Sequence, residues 1–296
     1  MRVVAYYAGR YPHSGAADWQ RRLDAGEISR NGEPLRAEAI LATGDRLLWR
    51  RSPWQEPAVP VGWGVIHDDG DLLVIDKPSG LPVLPAGGFL EHTVLRLLER
   101  QSAAGPAGAP PPRPVHRLGR FTSGLLVCAR RPATRAWLSQ RLRDSSAAGE
   151  GEAPSCRKLY RTLLLPGGLQ LELGEALPIT IAIGRRAHPL LGTIWCAAPD
   201  GLAAISELTL LRRHPDGDLA QVEIATGRPH QIRIHCAAIG APLLGDPLYL
   251  AGGSARAEVL PGEGGYRLHA HRLALAGPDG ASLTWEAPLP KWGQGG

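Results

Sequence analysis

Residues 115–126 read VHRLGRFTSGLL, a basic cluster that runs directly into an apolar strand, and the reading of the whole chain starts there. His116, Arg117 and Arg120 surround Gly119, and Thr122, Ser123 and Gly124 form a turn signal ahead of a strand expected over 124–129. This is anion-binding chemistry, because a guanidinium grips phosphate through parallel N–H donors. At its centre stands a residue with no side chain.

Further strands are expected at 72–76, 157–165, 205–211, 219–225 and 267–275, with helices near 92–100, 133–143 and 230–239. Strands outnumber helices and do not alternate strictly with them, which predicts an α+β domain with a mixed or antiparallel sheet. Residues 18–49 read as a small module with a short helix, a turn at Gly26, and compact strands. Tight turns are marked by Asn31 before Gly32 and Gly44 before Asp45, pairs that tolerate positive φ. The Pro-rich stretch 52–60 predicts a stiff linker, and 101–114 and 144–155 read as exposed loops because they carry too little apolar surface to bury.

The chain has 296 residues, a net charge of +5 and a sequence pI near 9.3, a balance that favours a polyanionic partner. Lysine occurs only at positions 77, 158 and 291, so the positive charge is almost all arginine and carries information mainly where it clusters at a motif. Four cysteines lie far apart with no CxxC pair, which indicates neither a disulfide framework nor a zinc knuckle. No signal peptide or membrane-length apolar run is present, so a cytoplasmic protein without a membrane partner is expected.

Three other segments carry chemistry: LLVIDKPSGLPV (72–83), RKLYRTLLLPG (157–167) and ATGRPHQIRIHCAAIGAPLLGDPLY (225–249). Pro229 reads as a first helical residue, so the amides around Arg228 could receive a phosphate at a helix N-terminus, or could simply start a helix. In this order and with these gaps, the four segments resemble the RluA-like family of RNA pseudouridine synthases over about residues 63–275. The resemblance implies a pseudouridine synthase catalytic domain over 60–290 with a mixed, largely antiparallel sheet. Residues 1–55 resemble the small α-L RNA-binding module that often precedes such domains.

The same resemblance implies an isomerase that turns uridine into pseudouridine in structured ribosomal or transfer RNA. It would need no cofactor or metal, flip the base out of its stack, and act as a monomer. Family members use an Asp directly after His-Arg-Leu to attack the nucleoside, and Gly119 takes that position here. Tyr160 matches the tyrosine that lies against the target base, and Arg233 matches the arginine that pairs with the missing Asp. Arg233 would then face another anion, water or RNA, and a carboxylate such as Glu207 or Asp76 is one source. His116, Arg117, Arg120, Thr122, Ser123, Arg228 and His230 are expected to serve the loop and the RNA, with Ile232 shaping the uracil pocket. The alternative is an inactive RNA-binding paralogue that lost its nucleophile at Gly119.

Overall fold

The computed structural model describes residues 1–11, 14–51, 55–105, 110–144, 156–259 and 264–294. It divides into two compact units, Met1–Gln55 and Glu56–Gly296. The small unit holds α1 (Val3–Arg10), α2 (Ala16–Asp24) and strands β1 (Ile28–Arg30), β2 (Glu33–Pro34) and β3 (Leu47–Trp49), in the order β2-β1-β3. Val3, Tyr7, Trp19, Leu23 and Ile28 form its core, and Arg22 lies over the rings of Trp19 and Trp49 at 4.3 and 4.7 Å. Asn31 and Gly32 take φ of 52° and 93°, as their turn requires.

In the large unit β4 (Gly64–Asp68), β5 (Leu72–Lys77), α3 (Val94–Ala104), β6 (Arg113–Pro114), β7 (Thr122–Ala129), α4 (Pro132–Asp144) and β8 (Cys156–Leu164) come first. They are followed by β9 (Ala176–Ile179), β10 (Ile183–His188), β11 (Gly192–Ala197), β12 (Ser206–Arg212) and β13 (Asp218–Ile224), then α5 (Gln231–Ala238), β14 (Leu268–Ala276) and β15 (Ser282–Glu286). One sheet runs β4-β5-β7-β14-β8-β13-β12-β9, with β15 beside β14 and β6 beside β7. Its pairs are antiparallel apart from β7 with β14, so the sheet is mixed and largely antiparallel. The strands have apolar runs because the sheet is covered: Leu125 to Ala129 and Leu72 to Ile75 are all buried.

Three local expectations change. Thr122, Ser123 and Gly124 are the first residues of β7 rather than a turn, and Gly124 has φ 97° because the backbone of Ala270 lies where its Cβ would be. Of the expected linker, residues 52–54 lie outside the described residues. Beyond them Glu56 is pinned, accepting from the amides of Leu90, Glu91 and His92 at 2.9, 2.8 and 2.8 Å. Of the expected loop at 101–114, residues 101–104 continue α3 and 113–114 form β6, whereas residues 145–155 of the second loop lie outside the described residues.

Candidate active site

The parallel pairing of β7 with β14 builds the site. Leu268 sits beside Thr122, His269 beside Ser123 and Ala270 beside Gly124, so the segments that lead into the two strands are also neighbours. Gly119 lies just before β7 and Tyr266 just before β14. β8, on the other side of β14, places Tyr160 opposite Ala270. Helix α5 is buried along its length from Gln231 to Ala237 and supplies Ile232 and Arg233. The result is a cleft of about 110 Å³ whose walls include Arg117, Gly119, Thr122, Tyr160, Arg228, His230, Ile232 and Arg233. Next to it lies a cavity of about 380 Å³ that shares Arg117, Tyr160, Ile224 and Arg228 and adds Lys158, Arg143 and Arg272. Among the described residues no acidic side chain lines either space.

Arg233 has its anion within the protein. Nε and one terminal nitrogen donate to the two carboxylate oxygens of Asp246, both at 2.7 Å, and the side chains are 3% and 0% exposed. Asp246 also accepts from the amides of Leu248 and Tyr249, so its oxygens are committed to folding the GDPLY segment back onto α5. Burial alone would lower the guanidinium's pKa, but hydrogen bonds and charge from Asp246 outweigh it and hold it above the ordinary value. Neither Glu207 nor Asp76 lines the cleft.

Position 119 is closely approached by a neighbouring side chain. Gly119 does not adopt positive φ, so backbone conformation does not call for glycine. A Cβ there would collide with the hydroxyl oxygen of Tyr266, with Thr122 Oγ1 next at 3.3 Å and Tyr266 Cζ at 3.6 Å. Tyr266 is 3% exposed and lines the cleft. Its hydroxyl lies 3.4 Å from Thr122 Oγ1, its ring meets Phe121 edge to face at 5.9 Å, and the Arg233 guanidinium stands 4.3 Å over its centroid.

Tyr160 is partly buried, and its desolvation pushes the phenol's pKa up, so the ring is offered with a protonated hydroxyl. His230 takes φ 58° at the N-cap of α5 and faces Tyr249 Oη at 2.8 Å. Tyr249 donates its own proton to the carbonyl of Trp195, so His230 carries hydrogen on Nδ1 and keeps a lone pair on Nε2. Burial, then Arg233, push its pKa down to about 3.

Several of the expected site residues hold the loop through bonds within the protein, and His116 also lines the larger cavity. His116 Nε2 accepts from the amide of Val127 at 3.0 Å, and burial lowers its pKa to about 4, so it pins the loop to β7 as a neutral ring. Arg120 Nε donates to Gly80 O, and its guanidinium covers Phe89 and Phe121 at 4.4 and 5.0 Å; it holds two loops together and does not line the cleft. Lys77, buried completely, completes that clamp by donating to the carbonyls of Pro78, Leu81 and Arg120. Ser123 pairs with His269 Nδ1 at 2.9 Å, away from the cleft.

Pro229 is not the first helical residue, because α5 begins at Gln231. The amide of Arg228 is already taken by Gln231 Oε1, which also accepts from the Thr226 hydroxyl, so that amide is committed within the protein. The Arg228 side chain, donating to Ala203 O, still lines the cleft. His235 is structural, bridging Ser206 Oγ and Ile181 O. Sequence reasoning missed Tyr266 and the hub at Gln231; the first is a lone aromatic without periodic context, and the second sits inside HQIR, where its neighbours drew attention.

Residues 71–238 match the RNA pseudouridylate synthase family. The chain is 42% identical to the uncharacterized RNA pseudouridine synthase slr1592 of Synechocystis sp., over 97% of this chain and 94% of that one. It is 36% identical to RNA pseudouridine synthase 5 of Arabidopsis thaliana, over 92% of this chain and 84% of the relative. Among solved structures, human RNA pseudouridylate synthase domain containing 4 superposes with a TM-score of 0.55 at 21% identity, covering 78% of this chain and 90% of that one, a likeness of fold.

Proposed function

Because this chain belongs to the RNA pseudouridine synthase family, we propose that it is an active member, converting uridine to pseudouridine in a structured ribosomal or transfer RNA after flipping the base from its stack. The observation that carries this reading is the cleft itself. An aromatic face (Tyr160) and an apolar wall (Ile232) stand together with a rim of cations, Arg117 and Arg228, in a space that no acidic side chain lines among the described residues. Such walls suit an uncharged base with its phosphate outside, since stacking tolerates any π-face and arginine binds phosphate bidentately. Arg117 forms no ion pair among the described residues, which leaves its charge available to RNA.

In this reading Tyr160 supports the flipped uracil, Ile232 excludes water from it, and Arg233 with Asp246 keeps the floor rigid. No metal or cofactor is required. Residues 1–55 add a second RNA contact as an α-L type module. None of the four cysteines is in a disulfide and all are buried, which agrees with work in a reducing compartment. The test is release of tritium from transcripts labelled at carbon 5 of uridine. Release is expected at one position of a ribosomal or transfer RNA; salt-dependent binding of every candidate RNA without release would favour the non-catalytic paralogue.

A further inference from the structure

The active reading leaves a chemical gap, since among the described residues no carboxylate lines the cleft beside Gly119. We propose that Tyr266 is the catalytic residue that fills it, with its phenol oxygen forming the covalent bond to the sugar that family resemblance assigns to an aspartate. This rests on the reading of the chain as an active synthase.

Three observations converge on Tyr266. Its hydroxyl oxygen lies no farther from the ideal Cβ of residue 119 than an aspartate's own carboxylate oxygens lie from its Cβ, roughly 2.4 Å by standard bond lengths. The oxygen comes from the segment that leads into β14, so a different side chain brings an oxygen within a carboxylate's reach of position 119. Second, the oxygen lies in the cleft that holds Tyr160 and Ile232, with Thr122 Oγ1 at 3.4 Å to orient its hydrogen. Third, the guanidinium of Arg233 stands over the ring at 4.3 Å and is itself immobilised by Asp246. That contact fixes the ring's position against the floor of the cleft. Tyrosine is a competent nucleophile at an anomeric carbon, as sialidases show.

The step balances without a co-reactant. As the C1′–N1 bond of the flipped uridine breaks, its electron pair leaves with the uracil, Tyr266 Oη bonds to C1′, and the phenolic proton passes to uracil O2. The neutral base turns in the cleft and C5 bonds to C1′. The C1′–Oη pair returns to the phenol oxygen, which takes back the proton from O2. Loss of the C5 proton to water and uptake of one at N1 complete the isomerisation. Arg233 steadies the phenolate at the moment it departs.

The pair of positions also makes a steric statement. Gly119→Asp alone forces the Tyr266 hydroxyl to shift, because the new Cβ would meet it. In Gly119→Asp with Tyr266→Phe the oxygen is gone, and the closest remaining neighbours of the new Cβ are Thr122 Oγ1 at 3.3 Å and the ring carbon at 3.6 Å.

The experiment measures single-turnover tritium release, RNA affinity and melting temperature for wild type, Tyr266→Phe, Gly119→Asp and the double variant. Tyr266→Phe is expected to keep its fold and RNA affinity but lose at least roughly a thousandfold in rate. The double variant is expected to regain at least tenfold over Tyr266→Phe. In parallel, 3,5-difluorotyrosine at position 266 is expected to move the alkaline limb of the rate–pH profile to lower pH, which a packing role would not do. Tyr266→Phe within tenfold of wild type, or a profile unmoved by fluorination, overturns the proposal while leaving the enzyme reading intact. A silent wild type overturns that reading itself, and the proposal with it.

Discussion

Arg233 shows how a single buried charge organises its surroundings. A guanidinium taken out of water needs a full set of partners, and Asp246 supplies both oxygens while Tyr249 and Tyr266 cover its faces at 4.9 and 4.3 Å. Asp246→Asn leaves that charge uncompensated, so urea denaturation is expected to report a loss of about 3–5 kcal/mol. An unchanged midpoint would mean that the pair is not closed in solution. Arg117 is the opposite case, lining the cleft without an ion pair among the described residues. Arg117→Ala is expected to spare stability and to lower the salt slope of RNA binding by about 1, read from affinity at several ionic strengths. The motif residues could be read from sequence because they are clustered and chemically distinctive. Tyr266 could not, because its meaning comes from a parallel strand pairing that brings together residues more than a hundred positions apart.

At the level of elements, the β7–β14 pairing is the joint on which the cleft depends. Gly124 meets the backbone of Ala270 with φ 97°, a geometry that offers no room for a Cβ. Gly124→Ala is expected to destabilise the fold by about 3 kcal/mol or more and to abolish activity, because overpacking and left-handed strain add at one position. Circular dichroism melting with a parallel activity assay checks both. Thr93 is a milder contrast. Its hydroxyl accepts from the amide of Arg96 at 3.3 Å as the N-cap of α3, and Thr93→Ala is expected to cost about 1 kcal/mol with activity intact. The strands β5, β7, β8, β12, β13 and β14 were legible because their apolar runs are bounded by turn residues. The hairpin of β10 and β11 was not. IGRRAH and GTIWCA mix charge, glycine and isolated apolar residues, and they form a two-stranded sheet apart from the main one. Helix α1 escaped for a related reason, since its VVAYYAGR has no side-chain cap and is rich in β-branched and aromatic residues.

Across the whole molecule, histidines held neutral in partly or fully buried sites give the fold a definite response to acid. Burial, reinforced by Lys158, Arg233 and His271 respectively, lowers His116 to about 4, His230 to about 3 and His269 to about 4. Above the ordinary histidine pKa of about 6.5 both folded and unfolded chains are neutral there, and this stabilisation is complete. As pH falls from about 6.5 towards 4 the unfolded chain gains protons that the fold refuses. Stability is expected to drop by up to about 1.4 kcal/mol per pH for each such ring. Denaturation midpoints between pH 4 and 8 check this, and a flat profile would show that the rings are not held neutral. On the same scale, the proposed activity rests on a largely antiparallel sheet, one parallel joint, and a cleft bounded by rings and arginines. Its most direct test is a structure of the protein bound to a substrate RNA that carries 5-fluorouridine at the modified position. The fluorinated base is expected to be extruded against Tyr160, with its C1′ within roughly 3.5 Å of Tyr266 Oη. A nucleotide still stacked in the RNA, or held on a different surface with the cleft empty, would contradict it.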